Sequence, residues 1–142
     1  MAELNCQFVR PDRLLFQGPV ASLVLVTPSG ELGVWPGHAS EICALGDGIV
    51  RLHQRPEDGG ETVRVVISGG YAEINDEGVI VLADHARRSD DIEGDEVRAT
   101  RDAAIESRDA LPEDDHRRAY YDNKIKWCNL LLKQLPPEEA SA

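Results

Sequence analysis

The chain has 142 residues and a mass of 15.6 kDa, the size of one compact domain or of a domain with a small appendage. Hydrophobic residues make up 42% and charged residues 29%, a globular composition that argues against wholesale disorder. Lys and Arg total 15 against 26 Asp and Glu, and the net charge of −11 argues against nucleic acid or anionic lipid as partner.

Short strands are predicted for the first part. Leu4, Cys6 and Phe8 alternate with Asn5 and Gln7, the mark of a half-buried strand. Leu14 to Phe16 is a second candidate and Val20 to Thr27 a third, ended by the turn Pro28-Ser29-Gly30. Gly33 to Ala39 reads as a loop, and Ile42 to Leu45 as a strand followed by the turn Gly46-Asp47-Gly48. Ile49 to Gln54 and Thr62 to Ser68 flank a polar, glycine-rich segment as a hairpin. Tyr71 to Ile74 and Val79 to Ala83 flank Asn75-Asp76-Glu77-Gly78 as another. Turn signals at this density predict an antiparallel β-sandwich or barrel over residues 1–86.

Eleven of the 12 glycines and eleven of the 12 valines precede residue 87. Ala, Arg, Asp, Glu and Leu then dominate, so residues 87–142 are predicted to form an antiparallel two-helix hairpin. Helix one runs from about Glu93 or Asp95 to Leu111. Pro112 takes the first position of helix two, Glu113, Asp114 and Asp115 complement its dipole, and it ends near Leu135, before Pro136-Pro137. Tyr121, Ile125, Cys128, Leu132 and Leu135 form an apolar stripe, widened by Tyr120, Trp127 and Leu131. Helix one offers a shallower face of Val97, Ala103, Ala104, Ile105, Ala110 and Leu111. Such a hairpin encloses little core and must lean on the sandwich or on another protein, so two arrangements close in energy are expected.

Catalytic patterns are scarce. Neither a GxxxxGK phosphate loop nor a GxSxG nucleophile elbow occurs. His38 and Glu41 have a spacing that a metal-binding β-barrel could use, or His38 is a polar loop residue. Trp35 is either a local plug or a recognition anchor. Arg98 and Arg101, with Asp95 before them and Arg108 beyond, form either helix-surface ion pairs or an anion site. Cys6, Cys43 and Cys128 lie far apart without a CxxC pair, which favours a reducing cytoplasm over disulfides or a cysteine zinc site. The longest nearly apolar run, Val20 to Val26, is far short of the roughly 20 residues of a membrane span. The N-terminus lacks the apolar region of a signal peptide.

The loop Gly30-Glu31-Leu32-Gly33-Val34-Trp35-Pro36-Gly37-His38-Ala39 resembles a signature of the epsilon subunits of F-type ATP synthases. Phe16-Gln17-Gly18, the segment Ile67 to Ile74 and the segment Val81 to Ala86 resemble further family motifs in the same order. The resemblance implies a non-catalytic central-stalk subunit with no resident cofactor or metal. Its sandwich would bind the gamma subunit and the polar loops of the c-ring, coupling ion flow to ATP synthesis. It would be peripheral to the cytoplasmic face of the cell membrane, held there only through the complex. On the matching positions, Glu31, Leu32 and Gly33 lie near the ring, with Trp35 and His38 around the stalk contacts.

The resemblance also implies that the helical tail folds down on the sandwich or extends toward the catalytic alpha and beta subunits, slowing ATP hydrolysis. Arg117, Arg118, Lys124, Lys126 and Lys133 are the candidate bases against an acidic segment of beta, and Glu113 to Asp115 oppose that docking. Asp95, Arg98 and Ala99 resemble the D-x-x-R-A core of a regulatory ATP site, with Gly94 replacing the apolar residue before it. Two rival readings are a metal-binding β-barrel enzyme, which needs a third ligand beside His38 and Glu41, and a free-standing protein-binding adaptor.

Overall fold

Alternation sorts the first strand as expected. In β1 (Leu4–Arg10), Leu4, Cys6 and Phe8 are buried while Asn5 and Gln7 are exposed. The structure, a computed structural model, describes residues 4–136, so Pro137 of the expected helix stop lies outside the described residues. The remaining strands are β2 (Arg13–Val20), β3 (Ser22–Thr27), β4 (Gly30–Val34), β5 (Glu41–Ala44), β6 (Asp47–His53), β7 (Thr62–Ile74) and β8 (Gly78–Arg88). The helices are α1 (Gly94–Asp109) and α2 (Arg118–Lys133). The chain divides into two compact units between Asp90 and Asp91.

In the first unit the strands run in the order β2-β1-β8-β7-β6-β3-β4, and β5 also pairs with β7. Side chains from every strand meet in one core, with Phe8, Leu23, Leu25, Val34, Val50, Leu52, Val65, Ile67 and Val81 fully buried. The sheet therefore folds over on itself as a sandwich. Both expected hairpins are present, β6 with β7 and β7 with β8. One pairing departs from the antiparallel expectation: β1 lies parallel to β8. Its two partners are the second strand and the last, a long-range pairing that local turn signals do not encode.

Gly46-Asp47-Gly48 is not a chain reversal. Asp47 and Gly48 belong to β6, and β5 and β6 share one antiparallel register against β7, from Glu41 opposite Ile74 to His53 opposite Thr62. The glycines kink a strand pair instead of ending it. Likewise Thr62 to Ser68 and Tyr71 to Ile74 are one strand of 13 residues, bent at Gly69-Gly70. A side chain at Gly70 would overlap the Leu82 carbonyl of β8, and its φ of 117° lies where L side chains are strained. The loop after β4 begins only at Trp35, because Gly33 and Val34 pair with Val24 and Leu23.

In the second unit α1 and α2 pack against each other. Pro112 does not start a helix. Asp115 N–H donates to the Pro112 carbonyl, and the Asp115 carboxylate accepts the Arg117 N–H at 2.9 Å. This side-chain turn competes with helix and delays α2 to Arg118. The acids Glu113 to Asp115 thus lie outside its first turn, which holds no carboxylate. Cys128, Leu131 and Leu132 are buried, but Tyr120 is 63% exposed and does not widen the stripe. On α1 only Val97 and Ala104 are buried. Ala103 and Ala110 are exposed, while Arg101, Ile105 and Arg108 are half-buried.

Candidate functional site

The loop residues do not act as one patch. In the β3–β4 register Leu25 faces Leu32 and Leu23 faces Val34, which turns Leu32 toward the core. Glu31 and Gly33 point the other way, opposite Val26 and Val24. Arg51 of β6, also opposite Val24, reaches across β3 and donates to the Glu31 carboxylate at 2.9 Å. The Trp35 indole folds back over Gly33, where any side chain would overlap the ring, yet Trp35 stays 59% exposed. It is a plug on one side and a free aromatic surface on the other, the combination expected of a recognition anchor. His38 closes a turn through its N–H to the Trp35 carbonyl, and its Nδ1 lies 2.7 Å from the Ala39 carbonyl.

A second surface emerges only from the strand registers. Ala44 stands opposite Tyr71, Tyr71 opposite Leu82, Leu82 opposite Val9, and Val9 opposite Leu14. This apolar row crosses five strands, β5, β7, β8, β1 and β2, on their outward side. Tyr71 is 55% exposed, Leu14 49% and Leu82 39%, and Ile42 beside them is 73% exposed. An apolar patch of this continuity marks an interaction surface. Sequence reading did not single out these residues. Each occupies an outward slot of its own strand, and single exposed apolar residues are ordinary. Their recurrence at outward positions of four strands was the available signal.

The five candidate bases differ in what holds them. Arg117 forms a two-pronged ion pair with Asp115, its Nη2 at 2.7 Å from Oδ2. Those side-chain bonds, then the Arg117 N–H, hold the Asp115 carboxyl well below the usual range, and the Arg117 guanidinium is pushed up in turn. Arg118 donates to the carbonyls of Arg108 and Leu111 at 2.9 and 3.1 Å. Lys124 stands over the Tyr120 ring at 5.8 Å, and Lys126 and Lys133 are exposed. At the start of α1, Arg98 pairs with Asp95 at 2.6 Å, and Gly94 lets Arg98 and Leu135 approach closely.

His38 Nε2 and Glu41 lie 3.9 Å apart, and among the described residues no third His, Cys, Asp or Glu joins them in a metal-sized group. A cleft of about 330 Å³ beside β1 and β8 is lined by Asn5, Gln7, Gln17, Asn75 and Glu77, among others. One carboxylate among amides supplies no acid–base pair and no cation for a phosphate. Among the described residues no two cysteines form a disulfide; burial pushes the Cys6 thiol up to about 12, and Cys43 is raised by burial and by Glu41. Neither is an activated nucleophile. Among the described residues no helix is long and apolar enough to cross a membrane.

Residues 3–89 match the family model for the ATP synthase delta/epsilon chain, beta-sandwich domain. The ATP synthase epsilon chain of Synechococcus elongatus is 32% identical over 114 residues, 80% of this chain and 80% of that one. That of Moorella thermoacetica is 39% identical over 106 residues, 73% of this chain and 75% of that one. A chain in the cryo-EM structure of the Euglena gracilis mitochondrial ATP synthase OSCP/F1/c-ring assembly has a TM-score of 0.71 at 27% identity, covering 96% of this chain and 83% of that one. A chain of the Tetrahymena thermophila mitochondrial ATP synthase central stalk and c-ring, at 12% identity and a TM-score of 0.51, shares the fold. With the strand order, the loop and the two-helix tail already in place, these likenesses identify the chain as a member of the ATP synthase delta/epsilon family, an epsilon-type, non-catalytic subunit of the central stalk.

Proposed function

We propose that this subunit couples ion flow through the c-ring to ATP synthesis by docking on two partners with two different surfaces. The observation that carries this reading is the apolar row across five strands, which suits a broad, permanent contact with the gamma subunit. Glu31, Gly33, Trp35 and His38 offer a smaller, mixed surface for the polar loops of the ring, with Leu32 supporting it from the core side. The subunit would then sit at the cytoplasmic face of the membrane through the complex alone. Tyr71→Glu with Leu82→Glu should weaken binding to a gamma–c-ring subcomplex about tenfold or more, the effect of losing central anchors. Trp35→Ala should leave gamma binding intact and weaken retention by the ring. Wild-type gamma binding by the Tyr71/Leu82 variant would overturn the assignment.

The same reading gives the helical tail a braking role toward the alpha and beta subunits, through Arg117, Arg118, Lys124, Lys126 and Lys133. Support comes from the positive side chains clustered along α2, whose own first turn lacks acids. Titrating the full chain into an epsilon-depleted catalytic sector should slow ATP hydrolysis, and no slowing would remove the brake. Regulatory ATP binding at Asp95, Arg98 and Ala99 is a separate proposal. It requires phosphates to displace Asp95 from Arg98, so binding should be weak and should strengthen in Asp95→Asn. Equilibrium dialysis with labelled ATP tests this, and no saturable uptake at millimolar ATP would end it.

A further inference from the structure

The interhelical turn concentrates the hairpin's ion pairs. Arg108, in the last turn of α1, donates to Asp122 in the first turns of α2 at 3.0 Å, and also to Asp109 at 3.1 Å. Arg118 reaches back from α2 to two carbonyls at the end of α1, where a cation also suits the helix dipole. Arg117 is held by Asp115 through two guanidinium nitrogens and its backbone N–H. Three arginines therefore have partners inside the chain, all between residues 108 and 122.

We propose that this turn is a charge latch that keeps the hairpin's own bases from an acidic partner. Asp115 and Asp122 serve as internal substitutes for that partner's carboxylates. While they and the α1 carbonyls hold Arg117, Arg108 and Arg118, docking through these side chains requires the turn to open. The acids whose charge opposes docking thereby acquire a role: they set how readily the tail is released. This inference rests on the braking role proposed above, but the latch itself is a property of the isolated chain.

The test uses the full chain with Asp115→Asn and Asp122→Asn combined. Asp122, in α2, is 56% exposed and Asp115, in the turn, 14%, and each change keeps the side chain's shape and removes no base. Amide hydrogen exchange over residues 108–122 should quicken by about two- to fivefold, the scale of losing exposed ion pairs. The concentration needed to slow hydrolysis by an epsilon-depleted catalytic sector should fall by a similar factor. Asp122→Glu, which keeps a carboxylate for Arg108, should restore most of the wild-type exchange at that end. Unchanged exchange in the double variant overturns the latch. So does unchanged or weaker slowing, provided the wild-type chain slows hydrolysis. If neither chain slows it, the braking role falls and exchange alone decides: faster exchange sustains the latch as a hairpin clasp, unchanged exchange removes it.

Discussion

Single residues carry constraints that composition hides. Gly70 is fixed twice, by a positive φ and by the Leu82 carbonyl that fills the space of a side chain. Gly70→Ala should destabilise the sandwich by more than about 1 kcal/mol, because an incompatible backbone costs more than the chain entropy such a change saves. A lower urea midpoint at unchanged slope would show it, and an unchanged midpoint would contradict it. Gly33 has ordinary backbone angles and is required instead by the Trp35 ring lying over it. Glycines are legible in sequence as punctuation, but which of them mark turns and which mark close approaches is not. Gly46 and Gly48 read as a turn, and only the continuous pairing against β7 shows a kink.

At the scale of elements, period-two alternation exposed β1, and the change from valine to alanine and arginine exposed the hairpin. The start of α2 was hidden because Asp115 can serve either as a helix-dipole acid or as a turn former, and its bonds to Arg117 decide for the turn. That choice has a pH signature. Arg117 lowers the folded Asp115 pKa below its ordinary 3.8, with a small further contribution from the nearby His116 charge. The contribution to stability is therefore complete above about pH 4 and is lost as pH falls toward the folded pKa. The Asp115 carboxyl-carbon resonance should show its main titration step only well below pH 3.8. A midpoint at or above 3.8 would refute the ion pair as drawn.

For the whole molecule, the loop motif made the family legible, while the apolar row stayed hidden. A row across five strands depends on which strands are neighbours, and the parallel β1–β8 pairing that completes it joins two strands far apart in sequence. The sandwich core is drawn entirely from residues between Leu4 and Ala86. A chain ending at Asp90, which keeps all of β8, should therefore melt cooperatively and still bind the gamma subunit while failing to slow hydrolysis. Loss of cooperative melting in that truncation would mean that the hairpin is needed for the sandwich to fold.

The β1–β8 pairing also orders events during synthesis. β1 finds its parallel neighbour only after Val9 and Leu82 are both available, with the rest of the sheet between them. Such distant contacts slow folding, so the nascent sandwich must wait, with β1 carrying an open edge beside β2. The helical segment leaves the ribosome after the sandwich, and while it is being made it tethers a domain whose strands are complete. The order of the genetic message thus places the sandwich before the tail that is proposed to act as a brake.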